Sequence, residues 1–287
     1  MKSPNRIIKP LLLLAATFIA AGRLRAEPLF PQPPGMCSYT HREQFKQDVP
    51  ATLDAIKALG VTDMEFSSLF GKTAAELRQL LDARGMVCSS FGVNYDDLVK
   101  KTDEVANNAK TLGAKFVRVA WIPHQPPFTL ELAKKTAAEF NRLGRQLREQ
   151  HGLTFCYHNH GYEFVKQGGG TLFDVLMAET NPQDVSFEID ILWAFFPGAS
   201  PAKLLEQYGS RFKLMHLKDL RKGVQGDFSG KTDKENDVAL GSGQLDIPAI
   251  LKAAKKAGVQ HYYIEDESSS TATQVPKTIA YLKSLKP

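Results

Sequence analysis

Cysteine is scarce: the 287 residues hold three, Cys37, Cys88 and Cys156. An odd count excludes a fully paired disulfide framework, and none has the spacing of a metal-binding cysteine motif. Each lies in an apolar, strand-like run, so all three read as small core residues. No Gly-x-Gly-x-x-Gly follows the first strand-like run, and Gly168-Gly169-Gly170 is not followed by Lys-Ser/Thr. Those absences remove support for a dinucleotide fold and for a P-loop. The net charge is +5, with Lys and Arg scattered among Asp and Glu beyond the first residues. A nucleic-acid-binding face needs clustered basic groups, so no nucleic-acid partner is expected. The apolar run over residues 11–21 is too short to span a bilayer comfortably.

That short run instead reads as the core of a signal peptide over residues 1–26. Lys2, Arg6 and Lys9 supply its positive start, and Glu27-Pro28 opens a polar lead after the cleavage region. The expected mature chain is residues 27–287, periplasmic or secreted, with no stable membrane anchor. A retained N-terminal anchor is the weaker alternative. The composition, 43% hydrophobic and 23% charged, is that of a globular chain.

From residue 35 onward, strand-like and helix-like runs alternate. The strands are expected at 36–39, 64–66, 86–93, 116–121, from 154, 185–190, 212–219 and 261–267. The helices are expected at 45–59, 73–81, 96–112, 130–151, 172–178, 201–208, 247–257 and 272–285. Thr73 with Glu76 forms a capping-box signature. About eight β/α units in a chain of this length predict a single α/β (β/α)8 TIM barrel, with its active site at the carboxyl ends of the strands. A doubly wound open sheet is the alternative. The polar stretch over residues 223–238 is long enough for an active-site loop or lid.

The chemistry-bearing side chains gather at the late strand ends. In the fifth, alternation places Cys156, His158 and His160 on one face, and Phe155, Tyr157 and Asn159 on the other. His158 and His160, with Glu163 just beyond, suit metal binding or proton transfer. The sixth strand offers Glu188 and Asp190, the seventh His216, Lys218 and Asp219, and the eighth Glu265, Asp266 and Glu267. Ionisable groups are costly inside a barrel unless paired or metal-bound. Mixed His and carboxylate donors without cysteine suit one divalent cation: manganese, magnesium, cobalt, zinc or iron.

Four stretches carry a resemblance to the xylose-isomerase-like sugar isomerase/epimerase superfamily, which also includes the AP endonuclease barrels. They are Tyr157-His158-Asn159-His160 through Glu163-Phe164, Glu188-Ile189-Asp190, His216-Leu217-Lys218-Asp219, and Gly241-Ser242-Gly243-Gln244-Leu245-Asp246 ahead of Glu265. In many members a Glu, Asp, His, Glu set holds one divalent metal. Asp190, His216 and Glu265 match the last three, while His158 stands at the usual glutamate. The resemblance leaves His158, His160 or Glu163 as the first ligand. Trp193 stands where endonuclease members carry a further His, which argues against DNA repair.

For sugar-acting members the resemblance implies proton transfer beside a carbonyl. Glu265 or His160 would be the base, and Lys218 would stabilise the oxyanion. Trp121, Trp193 and Phe195 are candidates to stack on a sugar, with core packing the competing role. The expected function is a metal-dependent isomerase or epimerase of a non-phosphorylated sugar. A keto-sugar lyase, dehydratase or hydrolase and a non-catalytic carbohydrate-binding barrel are the alternatives. A homo-oligomer is left open.

Overall fold

The computed structural model describes residues 29–30 and 33–286, so the expected signal peptide lies outside the described residues. Eight parallel strands close into a barrel: β1 (Gly35–Cys37), β2 (Asp63–Phe66), β3 (Val87–Val93), β4 (Phe116–Val119), β5 (Thr154–His158), β6 (Val185–Asp190), β7 (Phe212–Leu217) and β8 (His261–Ile264). β1 pairs with β8 through Gly35–Tyr263 and Met36–Ile264, which seals the barrel. The open-sheet alternative is thereby excluded.

Alternation along the strands builds two apolar layers. Phe155, Tyr157, Phe187 and Phe212 face outward into the core beneath the helices. Cys37, Phe116, Cys156, Leu214 and Tyr263 form a separate cluster inside the barrel. The three cysteines are buried and unpaired, as core residues would be.

Helices close the outer layer, and their ends follow local chemistry. Thr73 accepts from the Glu76 N–H while Glu76 returns a bond to the Thr73 N–H, starting the Ala74–Asp82 helix. The expected helix at 45–59 is two helices, Arg42–Gln47 and Val49–Ala58, because Asp48 is extended and caps the second. The expected helix at 96–112 likewise breaks at Lys101. A short helix that sequence reading missed, Ile191–Phe195, follows β6 directly. Two small antiparallel hairpins decorate the mouth, Lys166–Gln167 with Gly170–Thr171 and Asp219–Leu220 with Asp237–Val238. No helix among the described residues is long and apolar enough to cross a membrane.

Candidate active site

The end of β5 is fastened to the end of β6 by one amide side chain. Asn159 Oδ1 accepts from the Asp190 N–H at 3.0 Å, and Asn159 Nδ2 donates to the Asp190 carbonyl at 3.1 Å. Asp190 is held at its other end as well. Its Oδ1 caps the Ile191–Phe195 helix by accepting from the Trp193 N–H at 2.9 Å, which leaves Oδ2 to face the barrel axis. That oxygen lies 3.2 Å from His158 Nε2 and 3.7 Å from His216 Nδ1.

His158 Nε2 and His216 Nδ1 stand 3.2 Å apart, and His216 Nδ1 is 3.1 Å from Glu265 Oε2. One ligand atom from each of His158, Asp190, His216 and Glu265 therefore falls within 4.8 Å of all the others. All four side chains are buried. Two imidazole nitrogens and two carboxylate oxygens converging this way match the donor set of a single divalent cation. The residues fit the metal that sequence reading assigned to them, with His158 in the first position. Such a cation would supply Lewis acidity toward a carbonyl or hydroxyl oxygen.

Beneath this quartet lies a charged layer in which sequence reading had named Glu188 but missed Glu65 and Arg118. His216 Nε2 is 2.7 Å from Glu65 Oε1, which fixes the ring so that Nδ1 looks into the mouth. The Arg118 guanidinium reaches the same Glu65 oxygen at 2.5 Å, and Arg118 Nε lies 3.2 Å from Glu188 Oε2. Ser90 Oγ donates to the other Glu65 oxygen at 2.6 Å. Burial alone would raise the Glu65 carboxyl, but Arg118 and His216 outweigh it and hold it below the usual carboxylate range. Glu188 has no directed hydrogen bond, and burial together with Glu65 pushes it well up. Burial would lower His216, yet Glu188, Glu265 and Glu65 raise it well above the ordinary imidazole value. Cys37, Glu65 and His216 form a second convergence, but the Arg118 guanidinium already neutralises it. Gly92 makes room for that guanidinium, since a Cβ there would come within 2.8 Å of it.

Lys218 stands beside the quartet. Its Nζ is 2.9 Å from Glu265 Oε2, 2.5 Å from Glu267 Oε1 and 3.8 Å from Asp190 Oδ2. Burial opposes its charge, but Glu265, Glu267 and Asp190 overcome that and hold the ammonium well above its ordinary pKa. In return, Lys218 and His216 keep Glu265 well below the usual range against its burial. Lys218 also sits 5.7 Å from the Trp193 ring centre.

His160 lines the cavity between Trp193, stacked at 4.8 Å, and Trp121, edge-on at 5.1 Å. Burial, with His158 nearby, lowers its pKa to about 3, so the ring is neutral above that pH. Its Nδ1 has no hydrogen-bond partner.

Three expected site residues are placed elsewhere. Glu163, expected in catalysis, turns back into its own loop, where it accepts from the His160 N–H at 2.9 Å, the Gly161 N–H at 2.8 Å and the Tyr157 hydroxyl. It is fully buried, and desolvation pushes its carboxyl up to about 7. Phe195, expected to meet substrate, packs against the core and does not line the cavity. Trp193, also expected to meet substrate, is buried, does not line the cavity and touches the site only through His160 and Lys218, while Trp121 lines the cavity wall. Asp219 is likewise a scaffold: its carboxylate gathers the N–H groups of Gly241, Gly243 and Leu245. A Cβ at Gly243 would strike that carboxylate at 2.2 Å, so the Gly-Ser-Gly turn needs its second glycine.

A family profile described as xylose isomerase-like TIM barrel matches residues 53–285. The chain belongs to that family. An inosose dehydratase of Geobacillus kaustophilus is 24% identical over 266 residues, spanning 83% of this chain and 85% of the relative. Among solved structures, a sugar phosphate isomerase/epimerase of Parabacteroides distasonis superposes with a TM-score of 0.71 at 23% identity, covering 93% of this chain and 97% of that one. The IOLI protein, solved with a zinc atom, superposes with a TM-score of 0.70 at 15% identity, covering 88% and 95%. At these identities the superpositions establish the shared barrel.

Proposed function

We propose that this barrel is a metal-dependent lyase that removes water from a keto-cyclitol or keto-sugar. The observation that carries the reading is the buried donor quartet His158, Asp190, His216 and Glu265, with the charged Lys218 against it and neutral His160 at the cavity wall. Isomerisation or epimerisation, placed first from sequence, shares the opening proton transfer. The inosose dehydratase relative, which spans most of the chain, favours water loss. Zinc in the IOLI protein supports a divalent cation in the quartet.

Elimination takes a proton from the carbon beside the carbonyl and a hydroxyl from the next carbon. The neutral His160 imidazole is free to accept the proton, and Lys218 brings a permanent positive charge to the oxygen that becomes negative. Trp193 keeps the His160 ring upright, and Glu267 keeps Lys218 charged. The same proposal keeps the protein exported, on the strength of the pattern in residues 1–26.

The test is incubation of protein loaded with manganese, cobalt, zinc or magnesium with an inosose and with a keto-hexose in deuterated water. Deuterium exchange beside the carbonyl together with water loss is the expected result. Exchange that ends in an epimer returns the reading to an isomerase, and absence of exchange with every metal leaves a non-catalytic sugar-binding barrel.

A further inference from the structure

The cavity above the quartet encloses about 700 Å³. A hexose or cyclitol ring, displacing roughly six waters at about 30 Å³ each, takes about 180 Å³. One ring seated on the quartet therefore leaves most of the space unfilled. The remaining space is not spread evenly. The quartet stands on the ends of β5 to β8, whereas most of the other lining comes from the ends of β1 to β4 and the segments after them, through Tyr39, Ser67, Asn94, Asp97 and Trp121. None of these belongs to the candidate metal group.

We propose that this half of the mouth is a second sugar subsite, and that the substrate is a neutral glycoside with a second ring beyond the reacting one. This rests on the function proposed above and narrows its substrate class. Tyr39 supplies an aromatic surface: the residue stays 39% exposed at the cavity edge, although Arg42 covers one face of its ring at 4.4 Å. Aromatic faces of this kind match the apolar faces of sugar rings. Asn94 is exposed, and its amide makes a 3.3 Å bond to Asp97, which leaves hydrogen-bonding capacity for hydroxyls.

Charge disfavours the main rival occupant, a phosphorylated sugar. The lysines here are already neutralised, Lys100 by Asp96 at 2.9 Å and Lys218 by Glu267 at 2.5 Å, and Asp97 adds a further acid to the lining. Arg118 at the floor is held between Glu65 and Glu188. A phosphate dianion entering here meets one cation outside those ion pairs, Arg42 over the Tyr39 ring, and no cluster of them.

The experiment is calorimetric titration of the manganese-loaded protein with glucose, cellobiose and glucose 6-phosphate, repeated on Tyr39→Ala. Cellobiose is expected to bind about tenfold or more tighter than glucose, Tyr39→Ala to remove most of that difference, and glucose 6-phosphate to gain nothing over glucose. Equal or undetectable binding of both neutral sugars, a cellobiose advantage that survives Tyr39→Ala, or tighter binding of the phosphorylated sugar each overturns the subsite. Binding needs no turnover, so failure here is separate from failure of the dehydration reading, which shows as missing deuterium exchange.

Discussion

A single hydrogen bond decides which nitrogen His216 offers to the mouth. Glu65 takes Nε2 at 2.7 Å, so Nδ1 is left facing His158, Asp190 and Glu265. Partners of this kind set the tautomer and orientation of a ligating ring, and their loss typically costs about 10–100-fold in metal affinity. Glu65→Gln should accordingly weaken manganese or zinc binding by about that factor in a chelator-competition titration, with little change in far-ultraviolet circular dichroism. Unchanged affinity would remove Glu65 from the support of the site. At this scale the sequence was legible where a residue stood at a strand end. Alternation and position put His158, Asp190, His216 and Glu265 among the strand-end candidates, and the family resemblance singled out the last three as ligands. Glu65 and Arg118 could not, because each sits inside an apolar strand and has meaning only through a partner on another strand. An acid in the middle of Asp63–Phe66 was the available signal, and it pointed to burial without naming what neutralised it.

Among elements, the loop leaving β5 shows why proximity in sequence misled. Glu163 follows two histidines closely, yet Gly161 at φ +105° turns the chain so that the carboxylate closes back on its own backbone. Its work is to satisfy buried N–H groups that would otherwise be stranded. Glu163→Ala leaves the Tyr157 hydroxyl and the His160 and Gly161 N–H groups without that acceptor, at about 1–3 kcal/mol for each group that water cannot reach. The unfolding midpoint in urea should fall clearly for this variant, with metal content of the surviving folded protein retained. A variant of wild-type stability with lost turnover would return Glu163 to the chemistry. Helix boundaries were legible where capping chemistry was local, as at Thr73. They were not legible at Asp48 or Lys101, where apolar periodicity runs on across a break in the backbone.

For the whole molecule, the barrel gathers charge that its apolar layers must hold in place. Glu65 from β2, Glu188 and Asp190 from β6, and Glu265 after β8 meet within one mouth, offset by Lys218, Arg118 and the imidazoles. A divalent cation bound only by the folded barrel adds to its stability by mass action, about 2.7 kcal/mol at a metal concentration of 100 times the dissociation constant. For a chain of this size that corresponds to a rise of roughly 5–10 °C in Tm. His158→Ala is the discriminating control. Asp190 also caps a helix and His216 anchors the charged layer, so their removal disturbs the scaffold, whereas His158 bonds only within the quartet, through Nε2 to Asp190 and His216, and its Nδ1 has no partner. Thermal unfolding with manganese, cobalt or zinc should therefore show the rise in the wild type and lose it in His158→Ala, while the two metal-free proteins melt close together. If none of these metals moves the wild-type transition, or if His158→Ala keeps the full rise, the cation is not held by these four side chains.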